Sequence, residues 1–184
     1  LFIATNNELE ANQYLTKFSK LMRGVMENST EDFIPFQQEL DLLQNYLALE
    51  KTRFADKFDF EIDVDESLNT QSLKVPGMLV QPFLENAVWH GLRYRESKGF
   101  LKLSFKKESE YLKIIIEDNG IGIEESKKQK TEHQKNREGR GMKNTLERIA
   151  LLNDLYDQNI QCKITDKNHE QGVFVEIMYK LINQ

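Results

Sequence analysis

The chain has 184 residues, 39% of them hydrophobic and 30% charged, with a formal net charge of -5, the balance of an ordinary folded protein and not of a disordered tail or a membrane bundle. Such an acidic chain lacks the basic surface that general nucleic-acid binding requires, and a single cysteine, Cys162, excludes an internal disulfide and a multi-cysteine zinc site. No apolar run reaches the length of a membrane span, and the opening LFIATNN lacks the regions of a signal peptide, so the sequence reads as a fragment from a reducing, cytoplasmic setting.

From Asn7, the run NELEANQYLTKFSKLMRGVMENS places apolar residues at 11, 14, 15, 18, 21, 22, 25 and 26, the stripe of a helix that Asn7 caps with Glu10 three residues on. A second helix is predicted from IPFQQELDLLQNYLALEKTRF, with Pro35 near its first turn and Phe36, Leu40, Leu43, Leu47 and Phe54 along one side. Residues 1–56 thus predict a helical hairpin whose apolar stripes are too wide for it to bury alone, and self-association is expected. From residue 57 the texture changes. FDFEIDVD alternates as a strand with one wet face. QPFLENAVWHG predicts a helix that packs through Phe83, Leu84, Ala87 and Val88 and presents Asn86 and His90, one turn apart, beside Glu85. Further strands are read at FLKLSFK, YLKIIIED, IQCKIT and GVFVEIMYK, with a helix from Met142 to about Leu155. Roughly five strands and two main helices in mixed order predict, over 57–184, an α+β fold: a two-layer α/β sandwich with a mixed sheet and helices on one face.

Three stretches carry candidate chemistry. A strand ending in Asp118 and followed by Asn119, Gly120 and Gly122 sets a carboxylate at a sheet edge beside a turn that admits a planar ligand, although the tetrapeptide by itself reads better as an ordinary turn. REGRGMKN is expected to place Gly139 and Gly141 immediately before a helix, exposing backbone N–H groups to phosphate; it lacks the strand and spacing of a dinucleotide fingerprint. Between them, EESKKQKTEHQKNRE (residues 124–138) has no hydrophobic member and predicts a mobile surface loop, a candidate ligand lid with cations at Lys127, Lys128, Lys130, Lys135 and Arg137. Cys162 is expected to be a small strand residue.

ENAVWH, then DNGIG, then a polar lid, then GRGMKN leading into a helix resembles the N, G1 and G2 boxes of the GHKL (Bergerat) ATP-binding domain of histidine kinases and gyrase. YLTKFSKLMRGVMEN followed by PFQQELDLLQNYLALEKTRF is similar to the helices after the phosphoacceptor motif in LytS-type sensor histidine kinases. The resemblance covers nearly the whole chain. It implies binding of ATP and Mg2+, with Asn86 as the magnesium ligand and, with Glu85, a catalytic group; Asp118 accepts from the adenine amino group, and Gly120, Gly122, Gly139 and Gly141 shape the cleft. His90, Arg140, Met142 and Asn144 border the nucleotide, Asn144 touching phosphate or capping the helix it begins. It also implies transfer of the γ-phosphoryl to a histidine, a homodimer through the N-terminal helices, and a LytTR-type response regulator as partner. Direct nucleic-acid contact is not implied, and the parent protein is expected in the bacterial inner membrane with this part in the cytoplasm.

Departures accompany the resemblance. Trp89 stands where many histidine kinases place a Lys on the phosphates, which leaves that contact to Arg140 or the lid cations. Val173 follows Gly172 where the family often has a Thr, and Leu146 stands where relatives often have Arg, leaving Arg148 as the match. No N-P-H-F motif occurs; the histidines are His90, His133 and His169, so the acceptor is expected upstream of this fragment, which should not phosphorylate itself. Two other readings stay open: a nucleotide-binding module without kinase activity, suggested by Trp89 and Val173, and an anti-sigma-type serine kinase, against which the hairpin argues.

Overall fold

A computed structural model describes residues 8–28, 31–55, 57–129, 132–156, 158–167 and 171–181. These group into two compact units, one reaching to Ala55 and including Thr70–Met78, the other holding the intervening segment to Asn69 and the chain from Leu79.

The first unit is built on α1 (Glu8–Asn28) and α2 (Phe36–Arg53). Pro35 sets up the start of α2 with its φ of -53° but offers no side-chain cap. The first N–H groups of α2 therefore need other acceptors. Phe36 donates to the Leu73 carbonyl at 2.8 Å and Gln37 to that of Thr70 at 3.0 Å, which draws residues 70–78 into this unit. There β1 (Phe33–Pro35) pairs antiparallel with β3 (Lys74–Pro76). This small sheet was not expected, because three-residue strands bounded by proline show no periodicity. Gly24 admits close packing of the two helices, since a Cβ there would lie 3.0 Å from Leu42 Cδ1. Along α1, Leu15, Phe18 and Met22 remain exposed. The expected cap at Asn7 lies outside the described residues.

The second unit contains a five-stranded sheet in the order β2 (Phe58–Val64), β4 (Gly99–Glu108), β5 (Tyr111–Asp118), β7 (Val173–Lys180), β6 (Gln161–Asp166). β2 and β4 run parallel and every other pair antiparallel. Register explains the two faces. Leu101, Leu103 and Phe105 stand opposite Asp118, Ile116 and Ile114, and the last two stand opposite Val175 and Ile177; all are buried. The alternate residues carry charges that pair across strands, with Lys113 between Glu108 (3.3 Å) and Glu176 (3.0 Å), and Lys102 on Glu61 at 2.7 Å. α3 (Gln81–Asn86) buries Phe83 and Leu84, and its continuation buries Ala87 and Val88. It packs against α5 (Glu132–Tyr156), whose Ile149 and Leu152 are also buried. The parallel β2–β4 pair requires a crossover, and the α3 segment supplies it. The expected mixed sheet with helices and a preceding helical hairpin is what the chain forms.

Two expectations are corrected. The helix expected from Met142 begins at Glu132, and the stretch 124–138, expected as a mobile loop, is helical where it is described, in α4 (Ile123–Gln129) and the first turns of α5. Glu, Lys, Gln and Arg are strong helix formers; Lys128 pairs with Glu125 at 3.0 Å along α4, and the Asp166 carboxylate accepts the N–H groups of Ile123 (3.2 Å) and Glu124 (3.3 Å) at its start. Lack of apolar residues excludes a buried segment but not a capped surface helix. Lys130 and the side chains of Lys135 and Arg137 lie outside the described residues.

Candidate functional site

Three glycines, each closely approached by another part of the chain, assemble the site. Asp118 ends β5, and the loop after it meets the end of the α3 segment, where a Cβ on Gly120 would lie 2.5 Å from Gly91 Cα. Only a glycine fits there. Gly122, at φ +83°, lets the chain enter α4 while a Cβ would come within 2.8 Å of Asp166 Oδ1, and Gly172, at φ +126°, lies against the Asp118 backbone. From Ala87 to Gly91 the helix widens into a π-type turn, a local distortion common at functional sites; this stretch brings Gly91 against the Asp118 carboxylate and His90 into the same cavity.

A cavity of about 320 Å³ results. Phe83, Ala87, Ile116, Val173 and Val175 give it apolar walls, and Asn86, His90, Asp118, Ser126 and Lys127 are its polar members. A second cavity of about 410 Å³ shares Asn86, His90 and Met142 with the first and adds Glu85, Trp89 and Gly141. The larger groove, about 690 Å³, runs along α1 and α2 in the other unit; its walls are mainly exposed polar side chains, without a buried titratable group, and it offers no chemistry.

Asp118 is 3% exposed. Its Oδ1 accepts the Gly120 N–H at 2.7 Å. Burial pushes its pKa up to about 6, against the opposing help of N–H groups of Gly120 and Val173 and the charge of Lys167, while Asp166 adds to the rise. A carboxylate whose folded pKa lies above its unfolded value favours folding below the unfolded pKa and loses that contribution as pH rises through the folded one. Holding Asp118 ionised at neutral pH therefore costs about 3 kcal/mol. A donor from a ligand would offset that cost. The expected result is that affinity for adenosine, which has no phosphate to titrate, is level above pH 7 and falls about tenfold between pH 7 and 5 as the acceptor is protonated; competition against a fluorescent nucleotide measures it, and a flat profile would refute it.

The remaining expected residues fall into three groups. Asn86 and His90, half-buried, line both cavities, as does Met142; Gly122 lines the first, while Glu85 and Gly141 line the second. Glu85 is exposed overall, yet the wall behind it desolvates its carboxyl and holds the pKa above the usual carboxylate value. Gly120 shapes the site through Gly91 without lining it. Gly139, Arg140 and Gly141, expected in a turn before a helix, lie within α5, so their backbone N–H groups are not at a helix start; the side chain of Arg140 is outside the described residues. Asn144 is exposed, lines neither cavity, and cannot cap a helix that begins at Glu132. Of the lid cations, Lys127 lines the first cavity. The side chain of His133, and His169, lie outside the described residues.

Trp89 lines the second cavity, and the Arg93 guanidinium stacks over it at 5.5 Å and over Tyr94 at 4.7 Å. Cys162 is half-buried, with burial pushing its thiol up to about 11, an inert strand residue. Sequence reading missed Ser126 and Asp166. The first is a small residue in a charged run; the second acts only through the tertiary contact that caps α4. Among the described residues there is no group of three His, Cys, Asp or Glu able to hold a metal, and no helix long and apolar enough to cross a membrane.

Residues 1–58 match the histidine kinase family model. The LytS sensor protein of Oceanobacillus iheyensis is 33% identical over 165 residues, which are 86% of this chain and 28% of that protein. Of the curated relatives first matched, the chain spans 28%, 41% and 20% of their lengths. Among solved structures, the histidine kinase domain of the blue-light activated histidine kinase from Erythrobacter litoralis matches with a TM-score of 0.56 at 17% identity, over 98% of this chain and 84% of that one. The histidine kinase ThkA, in complex with the response regulator protein TrrA, matches with a TM-score of 0.50 at 14% identity, over 99% of this chain and 50% of that one. The chain therefore carries the sequence of the sensor histidine kinase family, similar to its LytS-type members, on the fold of a histidine kinase catalytic domain.

Proposed function

We propose that this chain binds Mg-ATP in the paired cavities and transfers the γ-phosphoryl group to a histidine of a longer protein, for relay to a response regulator. The buried Asp118 carboxylate in an apolar cavity carries the reading: flat apolar walls and one strong acceptor suit a purine bearing an amino group. The adjoining cavity, with Glu85, Asn86 and His90, takes the phosphates. Mg2+, which takes few protein oxygens and keeps waters and phosphate oxygens as its other ligands, fits a site where Asn86 offers one amide oxygen. When bound it neutralises charge on the phosphates.

The chain's own residues then position the groups. Transfer forms a bond between an imidazole nitrogen and the γ-phosphorus while the bond to ADP breaks, and catalysis rests on alignment and charge. Glu85, on the same wall, is placed to hold the N–H of the incoming imidazole. His90 belongs to the cavity wall, where it cannot move into line. The exposed Leu15, Phe18 and Met22 of α1 give a surface for homodimerisation, and a cytoplasmic location in a membrane-anchored parent is part of the same proposal.

Asn86→Ala is expected to weaken ATP binding about tenfold in Mg2+ and little in EDTA; equal losses in the two buffers, read by calorimetry, would contradict the metal role. The kinase step is tested by mixing the chain with γ-labelled ATP, Mg2+ and a separately supplied segment carrying the N-P-H-F motif. Acid-labile label is expected on that segment and on none of His90, His133 and His169. Intact ATP binding without transfer would favour the non-catalytic module instead.

A further inference from the structure

We propose that Ser126 reads the base of the nucleotide, its hydroxyl donating a hydrogen bond to a ring nitrogen of the purine, an inference that rests on the nucleotide reading above. Ser126 is 4% exposed, lines the same cavity as Asp118, and its Oγ has no hydrogen-bond partner among the described residues. A buried hydroxyl is rarely left unmatched, since its desolvation goes uncompensated. The apolar walls around it, Ile116, Ile123, Ile164 and Val175, have no side-chain group to receive it, and Val173 brings a methyl surface where a hydroxyl would have served.

Its position is fixed from two sides. The Ser126 N–H donates to the Gly122 carbonyl at 3.1 Å, and the Asp166 carboxylate holds the start of α4 through Ile123 and Glu124. The cavity thus has a carboxylate that accepts and a hydroxyl that donates. An amino-substituted purine presents the complementary pair, a donor amine and acceptor ring nitrogens. A purine with a carbonyl in place of the amine would set oxygen against carboxylate.

Calorimetry of wild type and Ser126→Ala with ATP and its 1-deaza, 3-deaza and 7-deaza analogues, in Mg2+, tests this. The wild type is expected to bind one analogue about five- to tenfold more weakly than ATP. Ser126→Ala should lose the same factor on ATP and bind that analogue and ATP alike, with an unchanged circular dichroism spectrum. Unchanged ATP affinity in the variant, a uniform loss across all four nucleotides, or a wild type indifferent to every analogue would overturn the role of Ser126 and leave ATP binding standing. A wild type that binds no ATP would instead overturn the nucleotide reading and this proposal with it.

Discussion

Replacing Asp118 by Asn is expected to weaken ATP binding at pH 7.5 about 100-fold while leaving the folded protein no less stable. The carboxylate has two oxygens for the N–H groups of Gly120 and Val173 and for a ligand amine. An amide has one. If its oxygen stays on the Gly120 N–H, its NH2 group faces the donor it should receive, so the charged hydrogen bond is lost and a donor is left unmatched, together about 3 kcal/mol. Stability moves the other way, because the uncharged amide avoids the desolvation that holds Asp118 near pKa 6. Calorimetric titration with thermal unfolding of the same sample reads both quantities. A variant that binds as tightly as wild type removes Asp118 from the site, and one that unfolds shows the residue to be structural.

Gly172→Ala should unfold the second unit or nearly so. The added Cβ would lie 2.0 Å from the Asp118 carbonyl oxygen and 2.9 Å from Asn119 Cα, with φ at +126°. All these neighbours are backbone and cannot swing aside, and the conformation is one that L residues rarely adopt. Overlap and strain together are expected to cost about 3–5 kcal/mol, a large part of a domain's whole stability. Gly141→Ala is the control: among the described residues, nothing beyond the helix's own backbone and the chain neighbours lies within 4 Å of the new Cβ, and in a helix the change is neutral or favourable. Urea denaturation of the two variants measures the difference. A Gly172→Ala protein within 1 kcal/mol of wild type would mean that β7 does not enter against the end of β5 as described.

Sequence disclosed the sheet because period-2 patterns such as FDFEIDV and YLKIIIED are written in consecutive residues, and the register between them follows once their apolar faces must coincide. It pointed to Asp118, Asn86 and His90, which line one cavity, because each lies in a short motif whose spacing survives folding. What stayed hidden depends on contacts distant in sequence. The cap that Asp166 places on α4, the pairing of β1 with β3, and the buried hydroxyl of Ser126 all join residues that no local pattern connects. The segment 124–138 differs for another reason: polarity excludes it from the core, but its residues are good helix formers. A helix that starts at Glu132 also changes the surroundings of Gly139, Gly141 and Asn144.

Nucleotide is expected to enter the cavity between the α3 segment and the sheet. Amide spectra of the isotope-labelled chain, recorded as Mg-ATP is added, test it most directly. Saturable shifts are expected at Asn86, Gly91, Gly120, Gly122, Ser126 and Val173 and none along α1. Shifts confined to the groove of α1 and α2, or no shifts at millimolar ATP, would contradict it.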